Sequence, residues 1–415
     1  MAERQLSSGG FAWALRDGEN GWSNIAEFAA EDRFDAGIDA ISDDGRTAYA
    51  RDPRGGNFAQ LVSIDLVGGQ IRTLANAAGR SIVASRSVGG NLPAIAYAID
   101  PARRSWGSSD PALRRSLQDL SSKVEGDLDI IDTSVSGDIW LVAADQDRAG
   151  RTYFRYEREA GTVTRLFNDR PHLNAGKLLS LFPITLSARD GVTLPGYFTL
   201  PYQVAAGGDA AADQLPPAVV PVPLVVLVHG GPWARDHWGY HPIHQWLGNR
   251  GYAVMSINFR GSVGFGRAHH VRGAGEWGQA MQHDLYDAIA WAIERGYVDK
   301  DRVAFIGGSY GGYATVQALL DRQSPAACGV AVSAPVDLIS LVESVPAWWA
   351  SARQILNRNV GETSSAAFRE TLRARSPLYS KQQIKGPLLM AHGSEDRRAY
   401  PSSIDAFARA QSAKT

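Results

Sequence analysis

The chain has 415 residues, 44% of them hydrophobic and 20% charged, with a formal net charge of -1. That length predicts two or three domains, and that composition a globular chain. The charge is balanced and forms no Lys/Arg block, so neither nucleic acid nor an anionic membrane surface is expected as a partner.

No run approaches 18 consecutive apolar residues, so no transmembrane helix is expected. The N-terminal MAERQLSSGGFAWALRDGEN has no basic segment followed by an apolar core and does not read as a signal peptide. A cytoplasmic location is therefore the expectation. The single cysteine, Cys328, excludes an internal disulfide and any CxxC metal motif, and reads as a small buried apolar residue. No metal or other cofactor is expected.

From the N-terminus, the elements are short strands and turns. QLVSIDLVGGQIRTL (60–74) and TYFRYEREAGTVTRLF (152–167) each read as a hairpin. AISDDGRTAYA (40–50) and TSVSGDIWLVA (133–143) precede them as matching pieces. Gly45 and Gly137 stand 92 positions apart, as do Gly69 and Gly161. That offset predicts two units of about 46 residues, the size of four-stranded propeller blades. LPAIAYAID (92–100) falls in the intervening unit. Residues 1–182 are thus read as an all-β, propeller-like partial domain of three to four blades, with a plain β-sandwich as the alternative. DPALRRSLQDLSSKV (110–124) breaks the β rhythm and predicts a helix.

The pattern changes near residue 183. PITLSARDGVTLPGYFTLP (183–201) predicts two strands, and the Ala/Gly/Pro-rich 203–223 a loop insertion. Strands and helices then alternate: strands at 223–229, 252–259, 302–308, 329–334 and 387–393, with helices around 241–251, 284–296, 312–321 and 402–413. This predicts a mostly parallel sheet with helices on both faces, an α/β domain over 183–415.

FIGGSYGGYA (305–314) places Ser309 between a strand and a helix. GxSxG is weak evidence in a chain with 43 glycines; the strand-turn-helix context carries the reading. A tight turn there lifts a serine oxygen to the C-terminal edge of the sheet as a nucleophile. Gly307 and Gly311 leave room for strand and helix to approach. The Tyr310 N–H, at the helix N-terminus, is one candidate oxyanion donor. The loop HGGPWARDHWG (229–239), after the first buried strand, supplies the second: Gly231 N–H, with Gly230 as the alternative. Asp396, just past the late strand PLLMAHG, is the candidate triad acid, with Glu395 as competitor; Asp337 reads as a turn or helix-cap residue.

In this fold a histidine follows the acid along the chain. All nine histidines precede Asp396. His392, ahead of the acid loop at the end of what reads as a buried strand, is expected to pack or order that loop, and His229 to be structural. The reading is a chain that lacks the triad histidine, truncated at the C-terminus by about 40–50 residues if the last strand and helix have ordinary lengths. As it stands it is expected to be nearly inactive.

HGGPWARDHWG, NFRGSVGFGRAHH (258–270), residues 277–314 and PLLMAHGSEDRR (387–398), in this order, resemble the prolyl oligopeptidase family of serine peptidases, near its acylaminoacyl- and dipeptidyl-peptidase-like members. The resemblance is strong over 183–413 and rests on the β repeat before that. It implies an α/β-hydrolase catalytic domain behind a propeller that admits short peptides and excludes folded proteins. It implies Ser309 as nucleophile, Asp396 as triad acid, and the Gly231 and Tyr310 amides as oxyanion hole. Arg260 and the RGSVGFG loop would help build the site wall. The expected function is hydrolysis of short peptides through an acyl-enzyme. An esterase with the same constellation and a non-catalytic peptide-binding pseudo-hydrolase are the alternatives. A nucleotide-binding reading of RGSVGFG fails, because its glycines are not spaced GxGxxG.

Overall fold

The computed structural model describes residues 1–415 apart from 8, 19–20, 90–93, 174, 203–213, 219, 347–348 and 414–415. Most of the expected insertion at 203–223, and the first two residues of LPAIAYAID, lie outside the described residues. The chain divides into two compact units. The first comprises Met1–Leu178 with His237–His241 and Val263–Ala268; the second comprises Leu179–Asp236, Pro242–Ser262 and His269–Thr415.

The first unit holds four antiparallel sheets in sequence order. They are β1 (Ala2–Gln5), β2 (Phe11–Asp17) and β3 (Gly21–Phe28); β4 (Gly37–Ile41), β5 (Thr47–Asp52), β6 (Gln60–Asp65) and β7 (Ile71–Ala75); β8 (Ile82–Val88), β9 (Ala94–Ile99) and β10 (Ser105–Ser108); and β11 (Asp127–Thr133), β12 (Ile139–Asp145), β13 (Thr152–Glu157) and β14 (Thr162–Asn168). The 92-residue offset relates the sheet β4–β7 to the sheet β11–β14, and the first turn of each is the same. Gly45 N–H donates to Ser42 O and Gly137 N–H to Ser134 O, each at 2.8 Å. Both glycines have positive φ, which a residue with a Cβ adopts only under strain. Apolar side chains join successive sheets: Trp13 and Val62 share a core, as do Leu61 and Ile95, and Ala96 and Trp140. This is a propeller-like stack of blades.

Helix α1 (Pro111–Lys123) stands where the β rhythm fails. Asp110 caps it by accepting Leu113 N–H at 2.6 Å, and Leu113, Leu117 and Leu120 bury one face.

The second unit is built on one seven-stranded sheet. Its strands are β15 (Phe182–Ser187), β16 (Thr193–Thr199), β17 (Val222–Val228), β18 (Ala253–Ile257), β19 (Val298–Gly308), β20 (Ala326–Val332) and β21 (Leu388–Ala391), in the order β15-β16-β18-β17-β19-β20-β21. The pairs from β18 to β21 are parallel; β15 and β16 are antiparallel additions. Every residue of β18 is buried, as a strand covered on both faces requires. In chain order the helices are α2 (Pro242–Gly248), α3 (Arg267–Val271), α4 (Ala280–Glu294), α5 (Tyr310–Leu320), α6 (Leu338–Glu343), α7 (Ala350–Asn359), α8 (Ala366–Arg375) and α9 (Pro401–Ser412). Propeller-like blades before this sheet give an α/β-hydrolase with an N-terminal β unit. Among the described residues no helix is long and apolar enough to cross a membrane.

Two expectations need correction. β21 is not a buried strand: it is the last in the sheet order, and Leu389 is 63% exposed. Cys328, in β20, is half-buried rather than buried.

Candidate active site

Ser309 occupies the turn between β19 and α5, with φ 55° and ψ -117°. Three glycines show why the turn is possible. A Cβ on Gly307 would lie 2.3 Å from the Gly311 carbonyl carbon, and one on Gly311 would lie 2.0 Å from Val228 O. One on Gly312 would meet Ala334 Cβ at 2.9 Å. Strand and helix are therefore in backbone contact, and the chain has no room to relax. Ser309 N–H donates to Val332 O at 2.9 Å, and Ser309 O accepts Tyr313 N–H at 3.0 Å. The Ser309 side chain makes no capping bond to the helix, and the residue is exposed.

The loop after β17 runs beside this turn, since Val228 pairs with Gly307. A Cβ on Gly230 would fall 3.0 Å from Gly308 O and 3.5 Å from Ser309 Cβ. Gly231 has φ +115°, and a Cβ there would lie 2.7 Å from Trp233 N. Neither Gly231 N–H nor Tyr310 N–H donates to another group among the described residues. The second sits in the first turn of α5, where amides have no partner within the helix. The Tyr310 side chain is fully buried against Trp277 and Phe259, and burial pushes its phenol well above the ordinary range. Only its backbone can serve the site.

Asp396 lies in the loop after β21, at the same edge of the sheet. Its Oδ1 accepts Arg398 N–H at 2.9 Å and Ala399 N–H at 3.0 Å. Burial would raise its pKa, but these two amides and the Ser333 hydroxyl outweigh it and hold the carboxyl below the usual range. Ser333 was not singled out from the sequence. It follows β20, its N–H donates to Ala391 O at 2.8 Å, and it has φ 47°. Nothing in the residue type announces that conformation. Glu395 is exposed, and Asp337 caps α6 through Ile339 N–H.

Arg260 presents no idle guanidinium. Nε and Nη2 donate to Asp284 at 2.9 and 2.7 Å, and Nη1 and Nη2 to Asp190 at 2.8 and 3.0 Å. The carboxylates, Asp284 first, raise its pKa and keep it charged. It braces the chain after β18 against α4, a role its sequence neighbourhood did not disclose.

Among the described residues no histidine hydrogen-bonds to Ser309 or Asp396. His244 bonds Thr199 and Ser256. His269 faces the Asn258 and Phe259 carbonyls, with its pKa pushed down to about 4 by burial. His392 lines a cavity of about 630 Å³ with Met390, Ile404 and Phe407. Among the described residues no group of His, Cys, Asp and Glu could hold a metal ion.

Residues 238–415 match the sequence profile of the prolyl oligopeptidase family. The chain is 41% identical over 420 residues to dipeptidyl aminopeptidase BIII of Pseudoxanthomonas mexicana, a match covering 100% of this chain and 59% of that protein. It is 36% identical over 300 residues to dipeptidyl peptidase family member 6 of Caenorhabditis elegans, covering 70% of this chain and 40% of that protein. The chain thus spans less than two thirds of the length of either relative. Among solved structures, a puromycin-hydrolyzing peptidase of Mycobacterium tuberculosis has a TM-score of 0.74 at 21% identity, over 98% of this chain and 60% of that one. That likeness bears on the fold alone. Fold, ordered motifs and relatives agree in placing residues 238–415 in the prolyl oligopeptidase family.

Proposed function

We propose that the protein carrying this chain is a serine peptidase that hydrolyses short peptides through an acyl-enzyme on Ser309. The observation that carries the reading is the Ser309 turn: an exposed serine in a strained backbone, beside two amides with no acceptor among the described residues. Ser309 Oγ attacks the scissile carbonyl. The Gly231 and Tyr310 N–H groups receive the developing oxyanion, each worth roughly 3 kcal/mol by analogy with single-donor deletions. A histidine takes the Ser309 proton and returns it to the leaving amine, while Asp396 orients that histidine and stabilises its cation. Water then releases the acyl group by the same steps. Relatives named dipeptidyl aminopeptidase and dipeptidyl peptidase favour peptides cut near their N-terminus.

The test is peptide-amide hydrolysis and fluorophosphonate labelling by the natural full-length protein and its Ser309→Ala variant. Turnover lost with the label in the variant supports the reading. Cleavage of activated esters without amides would make it an esterase. Peptide affinity with neither label nor turnover would mean peptide binding without catalysis.

A further inference from the structure

The loop His229–Gly231 contains a device that the peptidase mechanism above leaves unused. His229 Nδ1 lies 2.8 Å from Gly230 O, and its Nε2 lies 2.9 Å from Ser262 Oγ. A carbonyl oxygen can only accept, so Nδ1 carries the proton and Nε2 accepts from the Ser262 hydroxyl. Ser262 is fully buried, and its N–H donates to Phe259 O at 3.0 Å. The imidazole stacks on Phe259, centroids 4.5 Å apart and planes within 13°. Phe259 in turn packs on Tyr310 at 5.1 Å. One column of rings therefore joins Tyr310 to His229, two residues before Gly231.

The two atoms that matter belong to one peptide unit. In a trans peptide the C=O and the following N–H point in opposite directions. Gly230 O is drawn to the imidazole, so the Gly231 N–H is turned to the opposite side. Glycines flank this unit on both sides, and without a restraint it could rotate at little cost. We propose that His229 is a positioning residue: bonded to Gly230 O and set by Ser262, it locks the Gly230–Gly231 peptide with the Gly231 N–H turned toward Ser309. The proposal rests on the serine-peptidase reading, and it selects Gly231 over Gly230 as the donor.

The experiment uses the natural full-length protein with a peptide anilide, a peptide boronic acid and the same peptide without boron. Removing a whole oxyanion donor lowers kcat about 10²–10³-fold, so loosening one in His229→Ala should lower it about 10–100-fold. KM should change little, boronate affinity should fall by the same factor as kcat, and affinity for the boron-free peptide should hold. His229→Gln, which keeps an N–H donor, should recover part of the loss, and Ser262→Ala should lose less than His229→Ala. A kcat within twofold of wild type, or equal weakening of both peptides, would overturn the proposal. ¹⁵N NMR of the His229 ring provides a readout independent of activity. The Nδ1-protonated tautomer is expected, and the Nε2-protonated one overturns the lock. Wild-type protein that neither turns over nor binds boronate would sink the peptidase reading, leaving the tautomer to decide the lock by itself.

Discussion

Among the described residues the non-glycine residues with positive φ are Ser309 and Ser333, and they lie at one edge of one sheet. They are held by different means. Ser309 follows the inner strand β19, and its turn is walled by backbone: Gly307 against Gly311, and Gly311 against Val228. Ser333 follows β20 beside the edge strand β21. Its N–H donates to Ala391 O, and its hydroxyl stands near enough to the Asp396 carboxylate to help lower that group's pKa. The candidate nucleophile's backbone is thus imposed by glycine-lined packing of strand and helix, and the candidate acid's by a few directed bonds on an exposed rim. A left-handed non-glycine residue costs of order 1–3 kcal/mol, and such strain persists only where the surroundings over-determine it. The contrast teaches that the two halves of the candidate site should fail differently: one by unfolding, the other by losing chemistry while the fold stands.

The largest effect expected is chemical. Asp396→Asn should lower kcat about 10⁴-fold, by analogy with the same change in a serine-protease triad. The thermal midpoint should move little, because Oδ1 can still accept the Arg398 and Ala399 amides. Steady-state kinetics and a melting curve on the natural full-length protein check both parts. Next comes Gly311→Ala, whose new Cβ would meet Val228 O at 2.0 Å, a backbone atom that cannot move aside. Overpacking of this kind costs about 3 kcal/mol, and urea unfolding reads it; a loss under about 1 kcal/mol would mean the turn is not walled in.

Ser309→Gly should remove activity yet stabilise the fold by about 0.5–1 kcal/mol, since it relieves the strain and gives up no side-chain bond. Ser333→Gly relieves similar strain but removes the hydroxyl that helps to favour the ionised Asp396, an interaction worth about 1 kcal/mol, so its stability should barely change. Equal shifts for the two serines would erase the distinction between them. The smallest effect belongs to Gly393→Ala on the rim: nothing lies within 4 Å of its Cβ, and the unfolding free energy should hold within about 0.5 kcal/mol.

What the sequence discloses follows the same division. Turns that need a glycine are legible, because few other residues fit: Gly45 and Gly137 in the blades, Gly307 and Gly311 at Ser309. A continuous apolar run such as β17 declares a buried parallel strand. Ser333 was not legible, because its backbone angle comes from neighbours far along the chain. Nor was the brace of Arg260 on Asp190 and Asp284, which joins residues 70 and 24 positions apart. Helices α6 to α8 also escaped notice. α6 has six residues, too few to show a period although Leu338, Ile339, Leu341 and Val342 are buried, and in α8 Leu372 alone is buried, so little hydrophobic period is written there. The exposure of β21 depends on which strands lie beside it, which its own residues do not state.

One measurement tests the central claim most directly. The natural full-length protein is treated with a fluorophosphonate and the modified residue located by peptide mass mapping, alongside turnover of a peptide amide by the same sample. Stoichiometric label on Ser309 and loss of turnover in step with labelling are expected. Turnover that persists after complete labelling, or a label on another residue, would contradict that claim.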